Sequence, residues 1–367
     1  MQLSTGNRPG SVSTVTGKAA RTDKIHCAGG LASRLHNAGF MKRYLLKRLL
    51  GMAPLLLGIT IISFGIMHVA PGEPAIAGQE FNPRISAQDI ERLRAYYGLD
   101  RPLYEQYWHW LKRLAVLDFG ESFSADHRPV LDKVAERLPV TIWINVLALA
   151  LILLVSIPIG VLSAVRRNSA LDRMLTVFVF IGFAIPSFWL GLLLMYAFGV
   201  QLSWLPISGI HDYDWRQLGF WQQQLDLAHH LILPVFVSAI GGLAGMSRFM
   251  RSGMLEVIRA DYITTARAMG LPETTIRYRY ALKNAMLPII TLLGLSVPGL
   301  IGGSVIVEQL FSIPGMGLLF YEAVLTRDYP LVMAITVIGA VLTLIGNLLA
   351  DLAYAWADPR IRHGNKR

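Results

Sequence analysis

Six stretches of this sequence are apolar for about twenty residues or more, the length at which a helix rising 1.5 Å per residue crosses a bilayer. They run from Leu49 to Ala70, Pro139 to Val165, Met174 to Val200, Leu231 to Met250, Ala285 to Val307 and Leu331 to Ala350. Only 16% of the 367 residues are charged and 53% are hydrophobic, whereas a soluble domain devotes roughly a quarter to charge. The pattern predicts an all-α membrane protein with six transmembrane helices. Basic residues precede the first span and Ala75-Ile76-Ala77 resembles a cleavage site, yet its apolar run exceeds the core of a secretory signal. The first helix is read as uncleaved.

The formal net charge of +10 invites a nucleic-acid reading, but the cations lie in short loops on one side of the spans. Lys42, Arg43, Lys47 and Arg48 are followed by Arg166, Arg167 and Arg173. Then come Arg248, Arg251, Arg259, Arg267, Arg277, Arg279 and Lys283, and finally Arg360, Arg362, Lys366 and Arg367. The opposite short loops offer Arg216 and Arg327. This asymmetry orients a membrane protein with both termini in the cytoplasm. The long mixed-charge segment from Pro71 to Leu138 then lies outside. It predicts a small helical domain: a helix start at Ser86 to Asp89, a stop at Gly98, a second helix opened by Pro102, and a third opened by Pro129 that leads into span two. In the second helix Leu103, Tyr107, Trp110, Leu111 and Leu114 share a face. Trp204, Trp215 and Trp221 suit an interfacial belt.

Residues 1–40 read as a disordered tail or a mis-assigned start, with Met41 as the plausible first residue. Residues 41–138 form the first span plus the outer domain, residues 139–362 the transmembrane core, and residues 363–367 a tail. The single cysteine, Cys27, excludes an internal disulfide and any multi-cysteine metal site. The histidines are read as scattered, with no carboxylate at metal-ligand spacing. The His229–His230 pair is read as interfacial polarity. No metal site is expected.

No G-x-x-x-x-G-K-[ST] loop occurs, so nothing in the chain cradles nucleotide phosphates. His68, Glu308 and Asp351 lie near span ends, and no Asp, Glu, Lys or Arg occupies a span interior. Ion-coupled carriers usually place such groups at mid-membrane. With no nucleophile–base pair either, the chain is read as a transport subunit driven from outside itself.

Between spans four and five, Glu256 to Pro272 reads as one short amphipathic helix. Leu255, Ile258, Tyr262, Ala266 and Met269 fall on one face, with Glu256, Arg259 and Arg267 directed elsewhere. Gly270 suits a left-handed cap, and Pro272 opens the next helix. From residues alone, a helix lying on the membrane surface fits equally well. In the third outer loop Phe311, Ile313, Met316, Leu318 and Leu319 alternate with Pro314, Gly315 and Gly317, which predicts tight turns and a re-entrant segment. Gly294, Pro298, Gly299, Gly302 and Gly303 in span five permit bending or close packing.

D-Y-I-T-T-A-R-A-M-G-L from Asp261 and A-L-K-N-A-M-L-P from Ala281 resemble the signature loop of binding-protein-dependent ABC importer permeases. They are most similar to the branch serving dipeptides, oligopeptides, glutathione and nickel. P-G-E-P from Pro71, Y-G-L-D-R-P-L-Y-E-Q-Y from Tyr97, D-F-G-E-S from Asp118, E-Q-L-F-S-I-P-G-M-G from Glu308, R-D-Y-P from Arg327 and D-P-R-I-R from Asp358 extend the resemblance from Met41 to Arg362. Glu73 stands for the branch's Asp, and Leu117 replaces a common glycine. The resemblance implies a type I importer fold and a coupling helix near residues 255–270 that docks on an ATPase subunit. It assigns Glu256, Asp261, Tyr262, Thr265, Ala266, Arg267, Ala268 and Gly270 to that surface. The residues of the third outer loop are read as an extracytoplasmic gate loop of Glu308, Phe311, Pro314, Gly315 and Gly317, with an ordinary packed loop as the alternative. The resemblance also implies a second permease subunit, two ATP-binding subunits and a solute-binding protein as partners. ATP and Mg would be held by those partners and no cofactor by this chain, in a bacterial cytoplasmic membrane. Peptides head the implied solutes. No residue is assigned to substrate, although Asn145 is a polar side chain within a span. The rival readings are an ion-coupled carrier, a membrane enzyme or scaffold, and a same-family permease for glutathione or nickel complexes.

Overall fold

The computed structural model describes residues 48, 50–69, 88, 91, 98, 100–124 and 126–357, without the side chains of residues 298 and 350–357. The expected tail, the Met41 start, the 71–74 motif, the helix start at 86–89 and the 358–362 motif lie wholly or mostly outside these residues. The chain divides into two units, Met1–Leu55 and Leu56–Arg367. In the first, residues 48 and 50–55 are helical.

Helix α1 spans Leu50–Val69. Pro102 precedes α2 (Leu103–Ala115), which needs no side-chain cap because proline pre-sets its entry. Thr60 of α1 meets the Tyr107 hydroxyl of α2 at 2.9 Å, and His68 meets Gln106 at 3.2 Å. Pro129 precedes α3 (Val130–Val165), a 36-residue rod about 54 Å long at 1.5 Å per residue. The expected third outer helix and second span are therefore one element.

Beyond α3, the expected third span is broken. Helix α4 (Ala170–Ala184) and helix α5 (Ser187–Gln201) meet at 98°. Pro186 is the cause: it disfavours the helical region for Ile185, which sits extended at φ −78°, ψ 125°. Helix α6 (Phe220–Ile258) runs alongside α3 in the same direction, and small residues bring the two together. A Cβ at Gly160 would lie 2.5 Å from Met250, and one at Gly242 would lie 2.5 Å from Ile152. Helix α7 (Asp261–Ala268) follows. Glu273–Thr275 and a π-turn, Ile276–Ala281, then lead into α8 (Leu282–Ser296).

The expected fifth span to Val307 also departs from the sequence reading. After α8 a 3-10 turn, Val297–Leu300, leads to a break before α9 (Val305–Leu310). A broken helix in lipid must re-satisfy its freed carbonyls. Asn145 of α3 does so, donating to the Leu300 carbonyl at 2.9 Å. Its amide is committed to the backbone rather than free for a solute. Helices α10 (Met316–Leu325) and α11 (Tyr329–Ala357) complete the chain. Among the described residues four helices are long and apolar enough to cross a membrane, and five if the bent pair counts as one span.

Three buried clusters run along α3. At its start Val130 and Val134 pack with Phe119, Met316, Leu319 and Leu331. Midway, Ile144 joins Leu231, Val237, Val307, Phe311 and Ile313. At its end Val161 and Ala164 join Met250, Met254, Ile263, Ala266 and Ile276. Large apolar side chains on α4, such as Phe178 at 69% exposure, remain uncovered.

Candidate coupling and gate sites

The stretch read as one helix from Glu256 is two elements. Helix α6 ends at Ile258, Ala260 turns extended at ψ 146°, and α7 starts afresh at Asp261. The restart resets the register, which corrects the expected face. Ile263 and Ala266 are the buried side of α7, while Tyr262 and Met269 are exposed at 43% and 69%. Glu256 lies exposed on the last turn of α6. The remaining assigned residues, Asp261, Tyr262, Thr265, Arg267, Ala268 and Gly270, do share one exposed surface around those two anchors.

Short as it is, α7 is fixed from several directions. Ile263, fully buried, contributes roughly 2–3 kcal/mol of burial free energy. Asn284 of α8 donates to the Tyr262 hydroxyl at 3.0 Å, and Arg267 pairs with Glu273 at 2.9 Å. The Arg267 guanidinium holds the Glu273 carboxyl below the usual range, and Arg277 adds to the effect. Gly270 adopts φ +76°, the left-handed cap expected of it, with open space where a side chain would project. At the same end of α3, buried Asp172 receives Arg251 Nε at 3.0 Å and Nη2 at 2.8 Å, which ties α4 to α6.

The residues expected in a gate loop assemble differently from the α7 surface. Glu308, Phe311, Gly315 and Gly317 are buried together, and Pro314 is half-buried. The carboxylate of Glu308 organises the segment. It accepts from Thr141 Oγ1 at 3.1 Å and from the Leu318 amide at 2.7 Å. Thr141 Oγ1 in turn accepts from the Met316 amide at 2.8 Å. The glycines were expected to make turns. Gly315 and Gly317 instead have ordinary φ angles; the Glu308 carboxylate lies against Gly315, and the Val305 amide and the Glu308 carboxylate lie against Gly317. A Cβ at Gly315 would overlap that carboxylate. The tight turn itself falls at Pro314, where the Gly315 amide bonds the Ile313 carbonyl at 2.8 Å. Thr141 was not anticipated: one threonine in an apolar run carries no sequence signal of a partner 167 residues away.

Comparison with known proteins bears on what these parts belong to. Residues 156–363 match the family described as binding-protein-dependent transport system inner membrane component. Residues 41–145 match the corresponding N-terminal family. The oligopeptide transport system permease protein AppB of Bacillus subtilis is 46% identical over 323 residues, covering 88% of this chain and all of that protein. A putative peptide permease protein of Brucella suis is 39% identical over 326 residues, covering 88% and 99%. The glutathione transport system permease protein GsiC of Escherichia coli K12 is 37% identical over 325 residues, covering 88% and 100%. Among solved structures, a chain of the MetNI methionine ABC transporter overlaps with a TM-score of 0.44 at 16% identity, covering 61% of this chain and 97% of that one.

Proposed function

The chain belongs to the binding-protein-dependent transport system inner membrane components, and we propose that within an ABC importer it carries di- or oligopeptides inward. As a member of that family it is a multi-pass membrane transport component and not an enzyme. The peptide reading is supported by similarity to permeases named for oligopeptides and for glutathione, itself a short peptide. In this reading the partners are a related permease, two ATP-binding subunits holding ATP and Mg, and an extracytoplasmic solute-binding protein. The chain sits in the bacterial cytoplasmic membrane with both termini and α7 on the cytoplasmic side.

The observation that carries the mechanism is the mounting of α7: two buried anchors beneath an otherwise exposed helix. Such a stub transmits force through packed contacts to α3, α6 and α8 while offering its outer face to an ATPase. ATP-driven closure of the ATPase pair would push α7, rock α3 and α6, and release the Glu308 segment at the far end.

Bulk on the exposed face of α7 tests this. Ala268→Trp is preferred to a change at Gly270, because the left-handed backbone there strains any side chain. In proteoliposomes holding the full complex and its binding protein, Ala268→Trp should insert normally and abolish ATP-dependent peptide uptake. Wild-type uptake by a normally assembled Ala268→Trp complex would refute the coupling role. Peptide uptake that continues without the ATP-binding subunits would refute the importer reading.

A further inference from the structure

Asp212, Asp226 and His230 present one ligand atom each within 4.8 Å of the others. The expectation that no carboxylate stands at metal-ligand spacing from a histidine does not hold for Asp226 and His230, which are four residues apart on α6 and so share a face. Asp212 comes from the loop between α5 and α6. Its amide donates to Asp226 Oδ2 at 3.1 Å, which sets it over the helix.

The ring of His230 fixes its own tautomer. Its side chain is 3% exposed, and Nδ1 lies 3.0 Å from the Asp226 carbonyl and 3.3 Å from Asp226 Oδ1. Both are acceptors, so Nδ1 carries the hydrogen. In the neutral ring Nε2 is then a bare lone pair, and Asp212 Oδ1 lies 3.6 Å from it. Two acceptors face each other with no hydrogen bond between them. Among the described residues no Lys or Arg pairs with either carboxylate.

We propose that Asp212, Asp226 and His230 form a site for a divalent transition metal of the zinc class. Nitrogen and oxygen ligands around a tetrahedral zinc lie roughly 3.4 Å apart, close to the Nε2–Oδ1 separation. Bringing all three to that spacing requires about 1.4 Å of closure at most, and Asp212, 69% exposed, is able to move. One imidazole with two carboxylates disfavours magnesium and calcium, which take oxygen ligands. Three protein ligands leave a position for water.

Such an ion would act as a staple. The same loop donates from the Gly209 amide to the Phe311 carbonyl at 2.8 Å. A metal bond from Asp212 to α6 would therefore brace the loop against the segment that Glu308 organises. The site is independent of which solute is carried.

The test is zinc titration of the assembled complex in nanodiscs, with binding read by calorimetry and by the melting temperature. Subtracting Asp212→Asn from wild type cancels zinc sites on the other subunits. The expected result is one additional zinc per copy of this chain, weakened at least about tenfold in Asp212→Asn, with zinc raising the wild-type melting temperature more than the variant's. His211→Asn should leave the difference intact. Equal zinc binding by wild type and Asp212→Asn, or no saturable difference between them, overturns the proposal. A His230→Asn complex that still takes the additional zinc would do so as well.

Discussion

Replacing Thr141 with valine keeps the shape of a side chain that is 1% exposed but removes its hydroxyl. Two hydrogen bonds are lost, the one donated to Glu308 Oε1 and the one accepted from the Met316 amide. The Met316 N–H is left without a partner, and Glu308 loses one of its donors. A buried group stripped of its partner costs about 1–3 kcal/mol; taking ~1.5 for each gives about 3 kcal/mol. If that cost falls on the 305–318 segment, its local opening constant rises roughly 150-fold, since 1.4 kcal/mol is tenfold. Hydrogen exchange of the assembled complex reads this directly. Amides at Met316 and Leu318 should lose about two decades of protection, while those of α3 change little. Thr141→Ser, which keeps the hydroxyl, should recover most of it. Unchanged exchange at Met316 in Thr141→Val, or equal loss in the serine variant, would refute the idea that the threonine and glutamate hold this segment.

Three further outcomes follow from the same geometry. Ile263→Ala empties a fully buried position under α7 and should cost about 2–5 kcal/mol; ATP hydrolysis by the complex should persist while transport per ATP falls. Asn145→Leu leaves the Leu300 carbonyl unpaired in the break after α8, a loss of about 1–3 kcal/mol, measurable as a lower melting temperature in nanodiscs. Glu273, held down by Arg267, should titrate below its ordinary value of 4.5 by carboxyl NMR. Because the folded carboxyl is depressed, the pair's contribution is complete above that value and disappears as pH falls through the folded midpoint. Arg267→Gln should move the midpoint upward.

The apolar cores of four of the six expected spans, the proline-opened helices and the Gly270 cap were legible because each depends on one residue's backbone preference or on bulk apolarity. The face of α7 was not, because periodicity counted from Leu255 cannot register the restart at Ala260. Apolar averaging hid the bend at Pro186 and the break after α8, where hydropathy stays high while the helix stops. Gly315 and Gly317 were singled out as turn residues, which the structure does not bear out. Gly315 reads as a turn in sequence, and only the folded position of Glu308 explains its missing side chain. Asp226 and His230 were visible at helical spacing, but their third partner comes from a loop whose return path no local pattern encodes.

Helix α3 begins beside the cluster holding Met316 and ends beside the cluster holding Ile263. Thr141 and Val161, which face the two sites, are twenty residues apart on it, about 30 Å at helical rise. Signal between the ends then needs no relay of side chains: a continuous beam tilted at one end displaces the other by geometry alone. In the proposed mechanism its bending stiffness, set around Pro139 and Pro158 within it, would be a property on which transport depends as directly as on any contact at either tip.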